Sequence, residues 1–352
     1  MNAPAALAAA PRAAIDAQAH LHHQWFLGLQ LMVAVEEGKE VVGDWMFRLF
    51  RAQHEEKFLS SFEKLGLSGL PHAVACARYH VLSNGVGGVR VEYMEESDRK
   101  AWVRFRHPRW MYDGPAICGI PVEASRGFLR GWYAQNGVSL GNPRLGYVCV
   151  SEDLTGQFGL CGYFREYDRD LAPSERLRFA PNEIPPPFDP AAQPSPPDAH
   201  WPQDRLAKAA RNYAMEYCRN GVAQLIAVLG RDRAEALARR TARLTGLQQY
   251  PHLAKALGAV DGGPEDAARF LAAAFAGMGD ETELALAPAR SDLRHTGLRI
   301  VRGLSGEPRE TLLSAWIELW RGAVASHRAF IDVDVQRSEG ALLWRLSPRA
   351  AP

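Results

Sequence analysis

GYVCVSEDLTGQFGLCGYFREYD, residues 146–168, decides how the first part of this chain folds. Two runs rich in Tyr, Val, Phe and Leu flank a turn signal of Asp, Thr and Gly at positions 153–156, which predicts a β-hairpin. With the turn centred on Thr155, Cys149 lies directly opposite Cys161. Directly opposed residues have Cβ atoms roughly 4.5–5.5 Å apart, so the sequence predicts two neighbouring thiols.

The same register places Tyr147 opposite Tyr163. Side chains alternate between the two faces of a strand, so both tyrosines and both cysteines are predicted to share one face. Two thiols at this separation can form half of a metal site, a redox pair or a small buried patch. A disulfide is disfavoured in the reducing compartment that we expect for this chain.

The rest of the chain shows helices followed by hairpins, twice. Residues 1–19 are Ala-rich and are expected to form a disordered tail. A first α+β unit is predicted at 20–180, and a second one at 203–347. Proline-dense residues 181–202 are predicted to be a semi-rigid linker, because proline fixes φ and removes backbone donors. We therefore expect an α+β fold in which each unit packs helices on a small antiparallel sheet of two hairpins.

An internal duplication explains this order. At a shift of 192 residues, and at a slightly smaller shift later on, aromatic and glycine positions coincide: Trp25 with Tyr217, Gly38 with Gly230, Gly66 with Gly258, Trp132 with Trp320 and Tyr163 with Trp344. The second copy has no cysteine where the first has Cys118, Cys149 and Cys161. The first unit is therefore the candidate active unit, and the second is a degenerate repeat.

The composition excludes several classes of protein. The 352 residues carry a formal charge of +1, which provides no basic stripe for nucleic acid or anionic membranes. No run of about 18 apolar residues occurs, so no segment is expected to span a bilayer. Five cysteines, an odd number, do not suit a secreted disulfide framework. We expect a cytoplasmic protein with a small-molecule substrate and no nucleic-acid or membrane partner; a homo-oligomer is left open.

The paired pattern resembles the L-2-amino-thiazoline-4-carboxylic acid hydrolase-like family of bacterial proteins. The resemblance covers residues 20–168 well and residues 205–346 more faintly. The matching features are Gln24-Trp25-Phe26 in the first helix, Gly66 at the end of the second, His107-Pro108 after a strand, Cys118-Gly119 before a helix, and the Cys149/Cys161 hairpin. The family has cysteine where His107 stands here. The resemblance implies hydrolytic opening of a small ring that contains sulfur and nitrogen.

A Cys3His set is the sharpest candidate for chemistry. His107, Cys118, Cys149 and Cys161 are ligand types that zinc binds tetrahedrally, so a divalent metal such as zinc is a candidate cofactor. A closed set of four ligands would be structural, whereas three ligands and a water would be catalytic. The spacing is not that of a zinc knuckle, and buried cysteines often only fill space. Core thiols are therefore the competing interpretation.

Two routes to hydrolysis follow from these residues. A metal-bound hydroxide could attack a cyclic amidine carbon. Alternatively, a thiolate at Cys149 or Cys161 could attack first, with His107 as the neighbouring base. Substrate-binding candidates are Arg104, Arg106 and Arg109 for a carboxylate, and Tyr147, Tyr163 and Trp132 as walls for a flat ring. The competing interpretations are a solvated strand edge for the arginines and a core for the aromatic residues.

Four histidines in the first two predicted helices are weaker candidates. His20 and His23 could share a helix face as metal ligands, but they and His22 lie where the tail joins the helix. His54, which is followed by Glu55 and Glu56, is predicted to be a surface residue. This string also lacks the second histidine of a zinc-protease helix.

These observations favour a hydrolase that opens a small heterocyclic or amide-like metabolite by C–N or C–S hydrolysis. Two alternatives stay open. The protein could be a non-catalytic module that binds or senses a small molecule, or it could be a partner subunit of a catabolic enzyme complex. A catalyst requires a positioned titratable group, whereas a binding module requires only shape and a few polar anchors.

Overall fold

A computed structural model describes residues 11–107, 109–154, 158–195, 202–260, 262–327 and 330–349. The chain divides into two compact units, and each mixes helices with one sheet. The N-terminal unit is Gln30–Ala209. The C-terminal unit is Ala210–Pro352 together with the described residues up to Leu29. The predicted α+β fold with two units is confirmed.

Eighteen helices and strands, apart from short 3₁₀ turns, make up the described residues. In the first half they are α1 (Arg12–Glu37), α2 (Lys39–Phe62), α3 (His72–Val86), β1 (Val91–Ser97), β2 (Lys100–Phe105), α4 (Glu123–Gly131), α5 (Asn136–Ser139), β3 (Leu145–Ser151), β4 (Cys161–Glu166) and β5 (Leu177–Phe179). In the second half they are α6 (Gln203–Leu229), α7 (Arg231–Leu257), α8 (Pro264–Met278), β6 (Glu281–Ala285), β7 (Ser291–Thr296), α9 (Gly306–Ala325), β8 (Ile331–Ser338) and β9 (Ala341–Pro348). No helix among the described residues is both long and apolar enough to cross a membrane.

The two sheets repeat one topology. The strand order is β1-β2-β4-β3-β5 in the N-terminal unit and β6-β7-β9-β8 in the C-terminal unit, so the first four strands correspond. The N-terminal sheet differs from the predicted antiparallel sheet of two hairpins, because β5 adds a fifth strand that pairs with β3 in parallel. Matched glycines also share their backbone conformations. Gly38 and Gly230 precede α2 and α7 with φ of 90° and 78°, and Gly66 and Gly258 are left-handed caps with φ of 70° and 64°. Both findings agree with the predicted duplication.

The Ala-rich start of the chain differs from the expected tail. Residues 12–19 belong to α1, while residues 1–10 lie outside the described part. Small residues allow this helix to pack closely: a Cβ on Gly277 of α8 would lie 2.5 Å from the Ala14 carbonyl oxygen. Gln18 Nε2 also donates to the Ala274 carbonyl, at 2.9 Å. Because these contacts are tertiary, alanine content alone could not reveal them.

The proline-rich segment also differs from the expected spacer. The Ala180 amide donates to the Cys149 carbonyl (2.8 Å), and the Gln193 side chain both donates to and accepts from the Tyr93 backbone (2.8 Å each). Residues 180–193 are thereby attached to the sheet at β3 and at β1. The Gln193 amide supplies both a donor and an acceptor, whereas each proline in the segment lacks a backbone N–H donor. The segment consequently belongs to the N-terminal unit, which extends to Ala209.

Candidate functional site

The terminal hairpin of the N-terminal unit forms as predicted, but in a different register. Cys149 pairs with Gly162, and Ser151 pairs with Cys161, with an irregularity between Cys149 and Ser151. Tyr147 pairs with Phe164. The predicted Cys149–Cys161 and Tyr147–Tyr163 pairs are therefore wrong. The predicted turn residues Thr155 and Gly156 lie outside the described residues.

The register change places the two thiols on opposite faces of the sheet, because a slip of one residue reverses every side chain. Cys161 and Tyr163 pack with Trp102 and Val148 on the face that Ala180 covers. Cys149 shares the opposite, helix-facing side with Tyr147.

Aromatic packing selects this register. The Phe164 ring stacks on His80 of α3 at 5.4 Å and on Tyr133 at 5.4 Å. Gly162 makes room for Tyr147, since a Cβ there would lie 2.5 Å from the tyrosine hydroxyl.

The alignment of the two copies at β4 and β9 also differs by one residue from the predicted one, because the aromatic residue that faces the helices must match. Trp344 faces the helices of its own unit, with ring centroids 5.4 Å from Phe275 and 6.1 Å from Trp316. Phe164 occupies the corresponding position in the N-terminal unit. The predicted match of Tyr163 with Trp344 is therefore wrong.

The predicted metal set does not assemble. No group of three or more His, Cys, Asp or Glu residues in the described ranges is arranged to hold a metal ion. Cys118 is exposed at the end of a 3₁₀ turn, and His107 is exposed next to Gly159. Cys149 and Cys161 are buried on different faces. The four predicted ligands, His107, Cys118, Cys149 and Cys161, are thus separated by the fold.

Burial also keeps the interior thiols protonated. It raises the pKa of the Cys161 thiol to about 12, and it raises the pKa values of Cys76, Cys149 and Cys218 still further. A nucleophilic cysteine needs the thiolate, which these environments disfavour. The structure consequently provides no activated thiol at Cys149 or Cys161 for His107 to assist.

Thiol labelling checks this arrangement. Ellman's reagent under native conditions is expected to modify one thiol per chain rapidly, because only Cys118 of the five cysteines is exposed. Cys118→Ser should abolish the rapid phase, and denaturation of the wild type should release all five thiols. Rapid native labelling in the Cys118→Ser variant would contradict the burial of the other four.

The three predicted carboxylate-binding arginines are used inside the fold. Arg104 and Arg106 both pair with Glu92, the latter at 3.4 Å. Arg109 is buried, and its Nη1 donates to Asp153 Oδ2 at 3.0 Å. Ser125 also donates to this carboxylate, at 2.5 Å. The Arg109–Asp153 pair thereby attaches the β3–β4 loop to the segment that follows β2, and Ser125 attaches the same loop to α4.

The predicted aromatic walls divide between the two faces of the sheet. Tyr163 donates its hydroxyl to Glu183 at 2.7 Å on the outer face. Trp132 lies on the helix side, 5.5 Å from the ring of His54. His54 is 1% exposed, so its predicted surface position is wrong. Trp132 and Tyr147 remain on one side of the sheet, and Tyr163 does not join them.

A pair of arginines in the C-terminal unit forms a site that the sequence did not indicate. Gly279 ends α8 with φ of +83°. A Cβ built on this glycine would lie 3.2 Å from Nη2 and 3.3 Å from Nε of Arg299, and 3.4 Å from Nη1 of Arg211. Two guanidinium groups therefore border the space that the glycine leaves open. We call Arg211, Gly279 and Arg299 the arginine pair site.

Neither guanidinium has a carboxylate partner in the part of the chain that the structure describes. Arg211, 5% exposed, donates to the Asn212 side chain at 3.0 and 3.2 Å and to the Gly277 carbonyl at 3.0 Å. Nε of Arg299 is buried without a hydrogen-bond partner among the described residues. Within the described chain, no Asp or Glu oxygen lies within 4.0 Å of either guanidinium. Burial, and then the charge of Arg299, lower the pKa of Arg211 to about 10.

A strained corner positions Arg299. Leu298 adopts φ of +32°, the only positive φ of a non-glycine residue in the described ranges. The Arg299 amide donates to Asp280 Oδ1 at 3.0 Å, and the other oxygen of this buried carboxylate lies 3.0 Å from His295 Nε2. Strain of this kind persists where the surroundings impose it, and it is common at functional sites.

Comparison of the two copies does not reveal the arginine pair site. At the shift of 192 residues, the first copy has Ala19, Gly87 and His107 where the second has Arg211, Gly279 and Arg299. Both arginines are thus specific to the copy that we had predicted to be degenerate. The Gly-Asp step at 279–280 was the available signal, but nothing local indicates that an arginine on α6 reaches it.

No family model matches the chain, and no curated protein matches it.

Proposed function

We propose that this protein is a small-molecule-binding module, and that its C-terminal unit binds a small oxyanion such as a carboxylate at the arginine pair site. One observation carries the proposal: three guanidinium nitrogens of Arg211 and Arg299 lie 3.2–3.4 Å from the position that a Cβ on Gly279 would take, so both side chains approach the same side of this glycine. An anion oxygen held beyond that position, in contact with both guanidinium groups, would accept charge-assisted hydrogen bonds from both Arg211 and Arg299. Carboxylates and phosphates match the planar fork of arginine.

Electrostatics support an anion in preference to a neutral ligand. Arg219 donates to the carbonyls of Arg299 (2.9 Å) and Ile300 (3.1 Å) and thereby holds the backbone that carries Arg299. Among the described residues, the Asp280 carboxylate raises the pKa of Arg211, but it already contacts His295 and the Arg299 amide. The local charge is therefore positive, and a bound anion relieves the repulsion between the arginines.

Binding without turnover is favoured over hydrolysis by two observations. The described residues contain no metal-ligating group of three, and the buried cysteines have raised pKa values. Ring-opening hydrolysis stays a prediction that rests on the family resemblance.

Calorimetric titration at low ionic strength tests the anion site. Acetate, phosphate and sulfate are titrated separately into wild type, Arg211→Gln and Arg299→Gln. We expect the wild type to bind at least one of them, and each variant to lose about tenfold or more in affinity, because a hydrogen bond to a charged group contributes about 1.5–3 kcal/mol. Arg290→Gln, which removes an exposed arginine paired with Asp292, should bind like the wild type.

A pair of glycine variants provides the matched control. Gly258 and Gly279 both end helices in the left-handed conformation, with φ of 64° and 83°. Alanine strains either position by roughly 1 kcal/mol. A Cβ at Gly258 meets nothing within 4 Å, whereas one at Gly279 contacts both arginines. Only Gly279→Ala should therefore lose anion binding. Unchanged binding in Gly279→Ala, or no anion binding by the wild type, would refute the site.

A further inference from the structure

Three side chains of the N-terminal unit present buried polar atoms without partners where α2 packs near the end of α4. Both imidazole nitrogens of His54, Nη1 of Arg51 and Nε1 of Trp132 are buried, and none has a hydrogen-bond partner in the ranges described. The other terminal nitrogen of Arg51 pairs with Glu55 at 3.0 Å. Each unpaired buried group costs about 1–3 kcal/mol, so four such atoms on three neighbouring side chains call for a partner.

These atoms belong to neighbouring side chains. Arg51 and His54 lie about one turn apart on α2, and burial together with the Arg51 charge lowers the pKa of His54 to about 4. Trp132 follows Gly131, and a Cβ on that glycine would lie 2.9 Å from the Arg51 amide nitrogen. The ring centroids of His54 and Trp132 are 5.5 Å apart. Close contact between α2 and the end of α4 therefore brings the three side chains together.

The available donors and acceptors define the chemistry of a ligand. Arg51 and Trp132 offer N–H donors, and a neutral His54 offers one donor and one acceptor. Aromatic rings surround them, with Phe58 4.6 Å from His54 and Tyr79 6.3 Å from Trp132. We propose that Arg51, His54 and Trp132 bind a small planar molecule that carries carbonyl acceptors and an N–H donor, such as a cyclic amide.

This ligand site is independent of the arginine pair site, which lies in the other unit. A planar amide suits aromatic neighbours with a few polar anchors, the usual composition of small-molecule sites. The two sites are also distinguishable by experiment, because one takes a small anion and the other takes an uncharged ring.

Nuclear magnetic resonance of the ¹⁵N-labelled full chain tests the proposal with hydantoin, a planar ring that has carbonyl and N–H groups. The indole N–H signal of Trp132, identified by its loss in Trp132→Phe, is expected to shift saturably as hydantoin is added. The Trp102 indole already donates to Glu96 at 2.7 Å, so its signal serves as an internal control and should not move.

Two variants separate ligand binding from packing. His54→Phe keeps an aromatic ring and removes both nitrogens, so we expect hydantoin affinity to fall at least tenfold while the ligand-free protein becomes more stable. Arg51→Met provides a second test of the polar contacts and should also weaken binding. His72→Gln, at a partly buried histidine hydrogen-bonded to Asn142, should bind hydantoin normally.

The outcome is decided by the wild type and by His54→Phe together. A wild-type protein whose Trp132 signal does not respond to hydantoin would overturn the proposal. Ordered water would then be the hydrogen-bond partner of these polar atoms. Equal hydantoin affinity in wild type, His54→Phe and Arg51→Met would overturn it as well, because the orphan nitrogens would then play no part.

Discussion

Gly246→Ala is expected to lower the free energy of unfolding of the C-terminal unit by at least about 2 kcal/mol, although alanine is normally the better helix residue. Gly246 lies on α7 where α9 crosses it, and a Cβ there would overlap the Leu319 carbonyl oxygen and approach the Ala323 amide nitrogen to 2.8 Å. Backbone atoms cannot rotate away, so the two helices must separate and lose packing.

The crossing is built from glycine on both sides, which makes the effect large. Gly322 of α9 faces the backbone of Arg243 in the same way. The usual helix preference of alanine over glycine, about 1 kcal/mol, offsets only part of the overpacking cost. Gly322→Ala should therefore produce a loss of similar size.

Gly85→Ala is the matched control for this experiment. Gly85 lies within α3, and a Cβ there meets nothing within 4 Å. We expect this variant to be unchanged or stabilised by about 0.5–1 kcal/mol. Urea denaturation followed by circular dichroism measures all three variants. A Gly246→Ala protein as stable as Gly85→Ala would show that α7 and α9 do not approach as closely as the structure indicates.

Acidification is expected to destabilise both units between pH 6.5 and about 4. Burial lowers the pKa of His22 in the C-terminal unit, and of His54 in the N-terminal unit, to about 4. The unfolded chain binds these protons first, near pH 6.5, so stability is full above that pH and falls as pH decreases towards 4. Each of these histidines therefore lowers the free energy of unfolding by roughly 3 kcal/mol over this interval.

The surroundings of His22 explain why its neutral form is retained. The Gln18 carbonyl lies 2.8 Å from Nδ1, so this nitrogen carries the proton. Nε2 is buried without a partner among the described residues. After burial, which is the largest cause, the charges of Arg211 and Arg219 lower the pKa of His22 further. A protonated His22 would place a further, buried cation near Arg211 and Arg219.

Urea titrations at pH 4.5, 5.5, 6.5 and 7.5 check this prediction. His22→Gln keeps a hydrogen-bonding group and cannot titrate, so its stability should depend less on pH than that of the wild type. His107→Gln, at an exposed position, should retain the wild-type dependence. If His22→Gln and wild type lost stability equally on acidification, His22 would not be responsible.

Much of the fold could be predicted because its signals are local. Helical spacing, the glycine caps Gly66 and Gly258, and alternating strands all reflect interactions within a few residues. The predicted α+β class and the two units are confirmed on that basis. The hairpin register was missed by one residue, because stacking of Phe164 on His80 and Tyr133 decides it, and neither partner belongs to the hairpin.

The candidate sites likewise divide into what local sequence signals could indicate and what only tertiary contacts decide. Cysteine and histidine types indicated a metal set in the first copy, but residue types carry no information about which face of a sheet they occupy. The sequence by itself determined the periodic elements, the repeat and the charge balance. Tertiary structure alone decided the arginine pair at Gly279 and the polar cluster of Arg51, His54 and Trp132. Both depend on helices and loops distant in sequence, and packing of their backbones and apolar side chains brings them together.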